Sequence, residues 1–257
     1  MTVYNAKNVI KKSIRSVLNQ KFKSWKMIIV DNFSDDGTSN ILREIIDKRI
    51  KIIKPKKHLS RVKALNFGLR HCKTDFFGII DADDQVLPRW LNDVDKFYSE
   101  NKNFGALIGR FRFKYDNQKK IIKKISIPSN KVMNDYFSYT LPCAHSSSIF
   151  NLDLMRKKNI LYSKNLQTGH DWNLFLTISE IKNKYLINKI WVDWYRSKNT
   201  YTGKRYIESR HDKLINLKFK TKNQINLKFK ILKYYRLIME VLAIIIYKMA
   251  LIFNINK

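Results

Sequence analysis

The sequence predicts an α/β fold: a largely parallel sheet with helices on its faces. Three observations carry that expectation. Short apolar runs at residues 26–30, 49–53 and 76–80 have the β-branched and aromatic character of buried strands. They alternate with segments whose apolar residues recur at helical spacing, the pattern of strands joined by crossover helices. The chain has 257 residues, 44% of them hydrophobic, enough to bury a substantial core.

The elements follow in order. Residues 8–20 place Val9, Ile10, Ile14, Val17 and Leu18 on one helical face. The strand at 26–30 ends at Asp31, and the turn formers of 32–38 follow it. A second helix spans 38–47, with Ile41, Leu42, Ile45 and Ile46 as its apolar side. Residues 49–53 form the next strand and 61–70 the next helix, ending near His71. The strand at 76–80 runs straight into Asp81, Asp83 and Asp84. Pro88 opens a further helix, since its missing N–H is harmless in a first turn. Beyond residue 104 two strands are expected, around 106–113 and 120–125.

The acids at the end of the third strand are the chemical centre of the sequence. In an open α/β sheet, ligands bind at the carboxyl ends of the strands. Three carboxylates within four residues repel one another unless a cation lies between them. Mg²⁺ or Mn²⁺, which take carboxylate and phosphate oxygens, suit such an edge; a solvated acidic turn is the plainer reading. Net charge is +30, from 51 Lys and Arg against 21 Asp and Glu. That excess implies a polyanionic neighbour: nucleic acid, anionic lipid or phosphorylated substrate. Cys72 and Cys143 stand far apart, in no zinc or disulfide pattern. Residues 1–10 carry no apolar run, so no signal peptide is expected.

Five pieces together resemble a known family: Thr2-Val3-Tyr4-Asn5, Ser16-Val17-Leu18-Asn19-Gln20, Ile28 to Thr38, Ala64-Leu65-Asn66-Phe67-Gly68 and Ile80-Asp81-Ala82-Asp83-Asp84. In that order and at those intervals they resemble the nucleotide-binding half of a GT-A fold glycosyltransferase of the family-2 type. The resemblance implies an inverting, metal-dependent transfer of sugar from a nucleotide-sugar donor, such as a UDP-sugar, to a hydroxyl. It implies that Thr2, Tyr4, Asp31, Asn32 and Asp81 contact the nucleotide. Tyr4 offers a flat face to a uracil ring, and Asp31 and Asn32 offer hydrogen bonds to base or ribose; the family often has a second Asp at position 32. Asp81 and Asp83 match the Asp-x-Asp motif, whose carboxylates reach ribose and Mg²⁺ or Mn²⁺. Plainer readings stand beside these: Tyr4 as packing, Asp31 as a helix cap, Asp35 and Asp36 as turn and cap residues. The family has an apolar strand ahead of the Thr2 piece. Here Met1 precedes Thr2, so the first strand is expected to be missing.

The second half carries two further stretches. Residues 168–176 lead from polar residues into an amphipathic helix. They resemble the family's Glu-Asp motif, with His170 in place of Glu and Asp171 as the general base; a helix cap is the plainer reading of Asp171. Trp172 then stands as a sugar platform or as core. In 141–150, His145 reads as an acceptor or diphosphate contact, or as a structural histidine. Residues 191–199 resemble the segment that closes over the diphosphate, with Arg196 as its phosphate contact.

Residues 1–203 therefore read as a glycosyltransferase domain, with a nucleotide half at 1–100 and an acceptor half at 101–203. Residues 204–257 read as a basic amphipathic tail, in which residues 215–220 recur as 225–230. Residues 241–253 are apolar except for Lys248, too short to span a bilayer but suited to its interface. The tail also fits a helix docked on the core. The expected partners are a nucleotide-sugar, a glycan or lipid-linked acceptor and an anionic membrane surface, at the cytoplasmic face of an inner membrane. No nucleic-acid signature appears, so nucleic acid is not an expected partner. A basic nucleic-acid-binding protein and an N-terminally truncated, inactive remnant are the alternative readings.

Overall fold

Residues 1–53 form the parallel part of the fold. The computed structural model describes residues 1–115, 118–122, 144–166, 169–179 and 181–196, together with residue 238. Strands β1 (Thr2–Val3), β2 (Met27–Asp31) and β3 (Ile50–Ile53) lie in that order, all parallel. Helix α1 (Ile10–Leu18) buries Ile10, Ile14 and Val17, one face at helical spacing, and α2 (Thr38–Arg43) follows β2. The helix expected over 38–47 is thus shorter, and Ile46 is exposed.

The first strand, expected to be missing, is present as a two-residue pairing. Thr2 lies beside Val30 and Val3 beside Asp31. Val30 N–H donates to the Met1 carbonyl (2.9 Å), Asn32 N–H donates to the Val3 carbonyl (2.8 Å), and the Met1 ammonium donates to the Ile28 carbonyl (2.9 Å). A buried strand must place its backbone polar groups, and these three contacts do so for β2.

The second sheet departs from the parallel expectation. It comprises β4 (Phe76–Gly78), β5 (Gln85–Val86), β6 (Ala106–Tyr115), β7 (Gln118–Ile122), β8 (Ser148–Asn151) and β9 (Lys184–Arg196). The order is β4-β8-β6-β9-β5, with β7 also on β6. Only β6 and β9 pair in parallel; the other four pairings are antiparallel. The β6–β7 connection is too short for a crossover, which forces the chain to return antiparallel. Strand β4 stops at Gly78, two residues short of the sequence expectation, while Ile79 and Ile80 remain buried.

Helices α3 (Arg61–His71), α5 (Leu152–Lys157) and α6 (His170–Ser179) pack on one core with β4, β6 and β8, through Leu65, Leu69, Phe77, Phe150, Met155 and Phe175. A second core joins α1 and β2 to α4 (Trp90–Glu100), Phe104 and Trp191. Sharing one core fixes the first turns of α3 and α6 relative to the acidic end of β4. Among the described residues no helix is long and apolar enough to cross a membrane. Apart from Ile238, an exposed helical residue, the tail at 204–257 lies outside the described residues.

Candidate active site

The turn after Ile80 is held from three sides. Ser13 of α1 donates to the Asp81 carbonyl (3.1 Å), and Asp84 N–H closes the turn onto the same carbonyl (3.2 Å). Ser146, in the 3₁₀ turn His145–Ser147, accepts from Asp81 N–H (3.1 Å) and donates to the Asp84 carboxylate. Tyr195 N–H in β9 donates to the other Asp84 oxygen (3.1 Å).

Held this way, the three acids have different environments. Asp81 pairs with Arg61 at 2.7 Å. Burial pushes its pKa up, but Arg61, His145 and His170 outweigh burial and hold it below the usual carboxylate range. Asp83 has no ion pair among the described residues, and burial together with Asp81 pushes it up to about 6. Asp84 is buried and is pushed well up by burial, Asp81 and Asp83, against its two hydrogen bonds. Asp84 is therefore a clamp between β9 and the Asp-x-Asp turn.

Arg61 links this edge to the second chemical stretch. Its Nη2 faces Asp81 and its Nε–H donates to His170 Nε2 (3.4 Å). The charges of Asp81, Asp171 and Asp83 all raise its pKa. Asp171, the second residue of α6, thus shares an electrostatic neighbourhood with residues some ninety positions earlier in the chain. His170 is buried, which lowers its pKa to about 4, and its Nδ1 has no hydrogen-bond partner among the described residues. His145 is buried too and contacts the Tyr162 hydroxyl through Nε2 (2.8 Å).

The residues expected to contact a nucleotide lie at the ends of β1 and β2 and just beyond them. Tyr4 is 52% exposed and meets His58 edge-on at 4.8 Å between centroids. Asp31 accepts from Ser34 N–H (3.1 Å) and from the Ser39 hydroxyl. Asn32 uses both ends of its amide on Leu59: Nδ2 donates to the carbonyl (2.7 Å) and Oδ1 accepts from the N–H (2.9 Å). It therefore ties the loop after β3 to the end of β2. Asp36 accepts from Thr38 N–H (2.9 Å) and Lys7 N–H (2.9 Å), and Asp35 accepts from Asn5 (2.7 Å), so both are turn residues as expected. Thr2 lies in β1. The side chains of Trp172 and Arg196 lie outside what the structure describes.

Among the described residues no group of three His, Cys, Asp or Glu side chains forms a metal cage. A cage is not what Mg²⁺ or Mn²⁺ requires beside a diphosphate; one or two carboxylates suffice when phosphate and water complete the shell. Asp83, with its raised pKa and no ion pair, is a carboxylate whose environment calls for a cation, so the donor set fits.

The sequence did not single out Arg61 or Asp84. The one local sign for Arg61 was a cation in a helix's first turn, where the dipole disfavours it. Asp84 was counted with its neighbours, but its burial against Ser146 and Tyr195 depends on contacts 62 and 111 residues away.

Comparison with known proteins defines the class first. The structure of S. aureus TarS in complex with UDP-GlcNAc is similar, with a TM-score of 0.70 at 16% identity, over 86% of this chain and 66% of that one. The mannosyltransferase PcManGT from Pyrobaculum calidifontis, in complex with GDP-Man and Mn²⁺, gives 0.64 at 15%, over 92% and 67%. The fold is that of the GT-A glycosyltransferases. In sequence, an uncharacterized glycosyltransferase of Haemophilus influenzae is 28% identical over 188 residues, 69% of this chain and 58% of that protein. The Escherichia coli UDP-Glc:alpha-D-GlcNAc-diphosphoundecaprenol beta-1,3-glucosyltransferase WfgD is 28% identical over 122 residues, 43% of this chain and 48% of that one. The chain thus spans about half the length of these curated relatives. The profile of glycosyl transferase family 2 matches residues 1–156, and the chain belongs to that family.

Proposed function

We propose that the protein is an inverting glycosyltransferase that moves a sugar from a UDP-sugar to a hydroxyl of a cell-surface glycan or lipid-linked acceptor. The observation that carries this is Arg61 itself, which pairs with Asp81 of the acidic turn at 2.7 Å and donates to His170, the neighbour of Asp171, at 3.4 Å. Tyr4, Asp31 and Thr2 line the end where base and ribose bind, with Asn32 positioning the loop beside them. Asp83, with Asp81, would hold Mg²⁺ or Mn²⁺, which would supply Lewis-acid neutralisation of charge on the diphosphate. Arg61 keeps Asp81 ionised, and Arg196 supplies a phosphate contact. Asp171 takes the proton of the acceptor hydroxyl as that oxygen bonds to the anomeric carbon. The bond from that carbon to the diphosphate oxygen breaks on the opposite face, and its electron pair leaves with the nucleotide. Trp172 flanks the acceptor, and His145 supports it from behind.

The acceptor class is supported by WfgD, whose name specifies a diphosphoundecaprenol acceptor. The basic tail and the net charge of +30 support a peripheral position at the cytoplasmic face of the inner membrane. The test is Asp171→Asn with Mn²⁺ and a panel of UDP-sugars. Removing a general base lowers transfer by about 10²–10⁴-fold, with donor binding by thermal shift unchanged. Near-normal transfer would remove Asp171 from the mechanism.

A further inference from the structure

A cleft of about 320 Å³ lies between the loop after β3, the outer face of α3 and residue 164. Its walls include Pro55, Leu59 and Phe67, and its rim carries Lys56, Lys57, Lys63, Arg70 and Lys164. All five cations are exposed, and none forms an ion pair among the described residues. The charge has a sequence origin: from Lys48 to Thr74 there are ten Lys and Arg and not one Asp or Glu. Among the described residues only Arg49 and Arg61 of these ten are in ion pairs with acids, Asp47 and Asp81. Five like charges around one opening raise the local concentration of anions. The apolar walls add a second requirement that free phosphate does not meet. The cleft is also tied to the site: Asn32 holds Leu59, and Arg61 begins the helix that carries Lys63, Phe67 and Arg70.

We propose that this cleft binds a diphosphate carried on an apolar chain, the headgroup end of a lipid-linked acceptor. The cations take the phosphates, and Pro55, Leu59 and Phe67 take the first carbons of the chain. The acceptor class rests on the function proposed above; the cleft and its charge do not.

The test uses the full chain in EDTA, so that the Asp81–Asp83 edge holds no metal-bound diphosphate. Calorimetry compares pyrophosphate, geranyl diphosphate and dihexanoyl phosphatidylglycerol. Geranyl diphosphate is expected to bind at least about tenfold more tightly than either of the others, since buried methylenes add to the charge. Replacing Lys57, Lys63 and Arg70 together by Gln weakens it about tenfold or more. A control carrying Gln at the exposed Lys12, Lys96 and Lys102 stays within about twofold of wild type. Equal binding by the cleft variant and wild type overturns the site. Equal binding of pyrophosphate overturns the apolar chain, and equal binding of phosphatidylglycerol makes the cleft a bilayer contact instead. UDP binding with Mn²⁺ is measured in parallel. Wild type that binds geranyl diphosphate but not UDP would sink the transferase reading and leave the cleft standing.

Discussion

Consider Asp83→Asn in protein stripped of divalent metal. The folded carboxyl titrates at about 6, against about 3.9 in an unfolded chain. A carboxyl whose pKa is raised by folding destabilises the fold once ionised. The penalty is absent below about pH 4, grows between about pH 4 and 6, and is complete above that. Two units correspond to about 3 kcal/mol at most, and water reaching the partly exposed group reduces this to about 1–2 kcal/mol. Asparagine removes the charge, so the variant melts higher at pH 8 by about 2–8 °C for a chain of this size. At pH 4 the two proteins melt together. The assay is a set of melting curves from pH 4 to 8 in EDTA, repeated with Mn²⁺. Added Mn²⁺ raises the melting temperature of wild type at pH 8 and leaves that of the variant unchanged. A difference that does not vary with pH, or a variant less stable at pH 8, would refute the reasoning.

Three other outcomes follow from the same contacts. Asp84→Ala leaves Tyr195 N–H without its acceptor and opens space beside Ser146; it costs about 2–4 kcal/mol by chemical denaturation. Asp84→Asn keeps the Tyr195 contact through Oδ1 and reverses the Ser146 one, with Nδ2–H donating to the Ser146 hydroxyl, and costs less than about 1 kcal/mol. Arg61→Met strands the partly buried Asp81 and costs about 1–3 kcal/mol, most of it recovered when Asp81→Asn is added. Gly109→Ala places a methyl 2.2 Å from a ring carbon of the fully buried Trp191; it destabilises by about 1–3 kcal/mol or more, read as a lower unfolding midpoint.

The irregular step in the β6–β9 ladder shows why Gly109 had no sequence signature. It arises where the ladder shifts register between Gly109 and Phe111, over the indole of Trp191. That close approach joins residues eighty-two apart, and no local propensity encodes it. Similarly, Asn66 matched a motif, but its work is a buried pair of hydrogen bonds with the backbone of Tyr162, at 2.9 and 3.0 Å. The mixed sheet was illegible for a related reason. Strand periodicity marks which residues face the core but not which neighbour a strand chooses.

The sequence by itself determined what depends on near neighbours along the chain. It set the strand–helix alternation through residue 100, the acidic end of the run at 76–80, the turn roles of Asp35 and Asp36, and the place of Asp171 at the start of a helix. The tertiary structure alone decided how the acids differ. Asp81 acquires Arg61, Asp84 acquires Ser146 and Tyr195, and Asp83 has no ion pair among the described residues. Identical side chains within four positions become chemically distinct because burial and counter-charge are supplied by distant segments, and only packing brings those segments together.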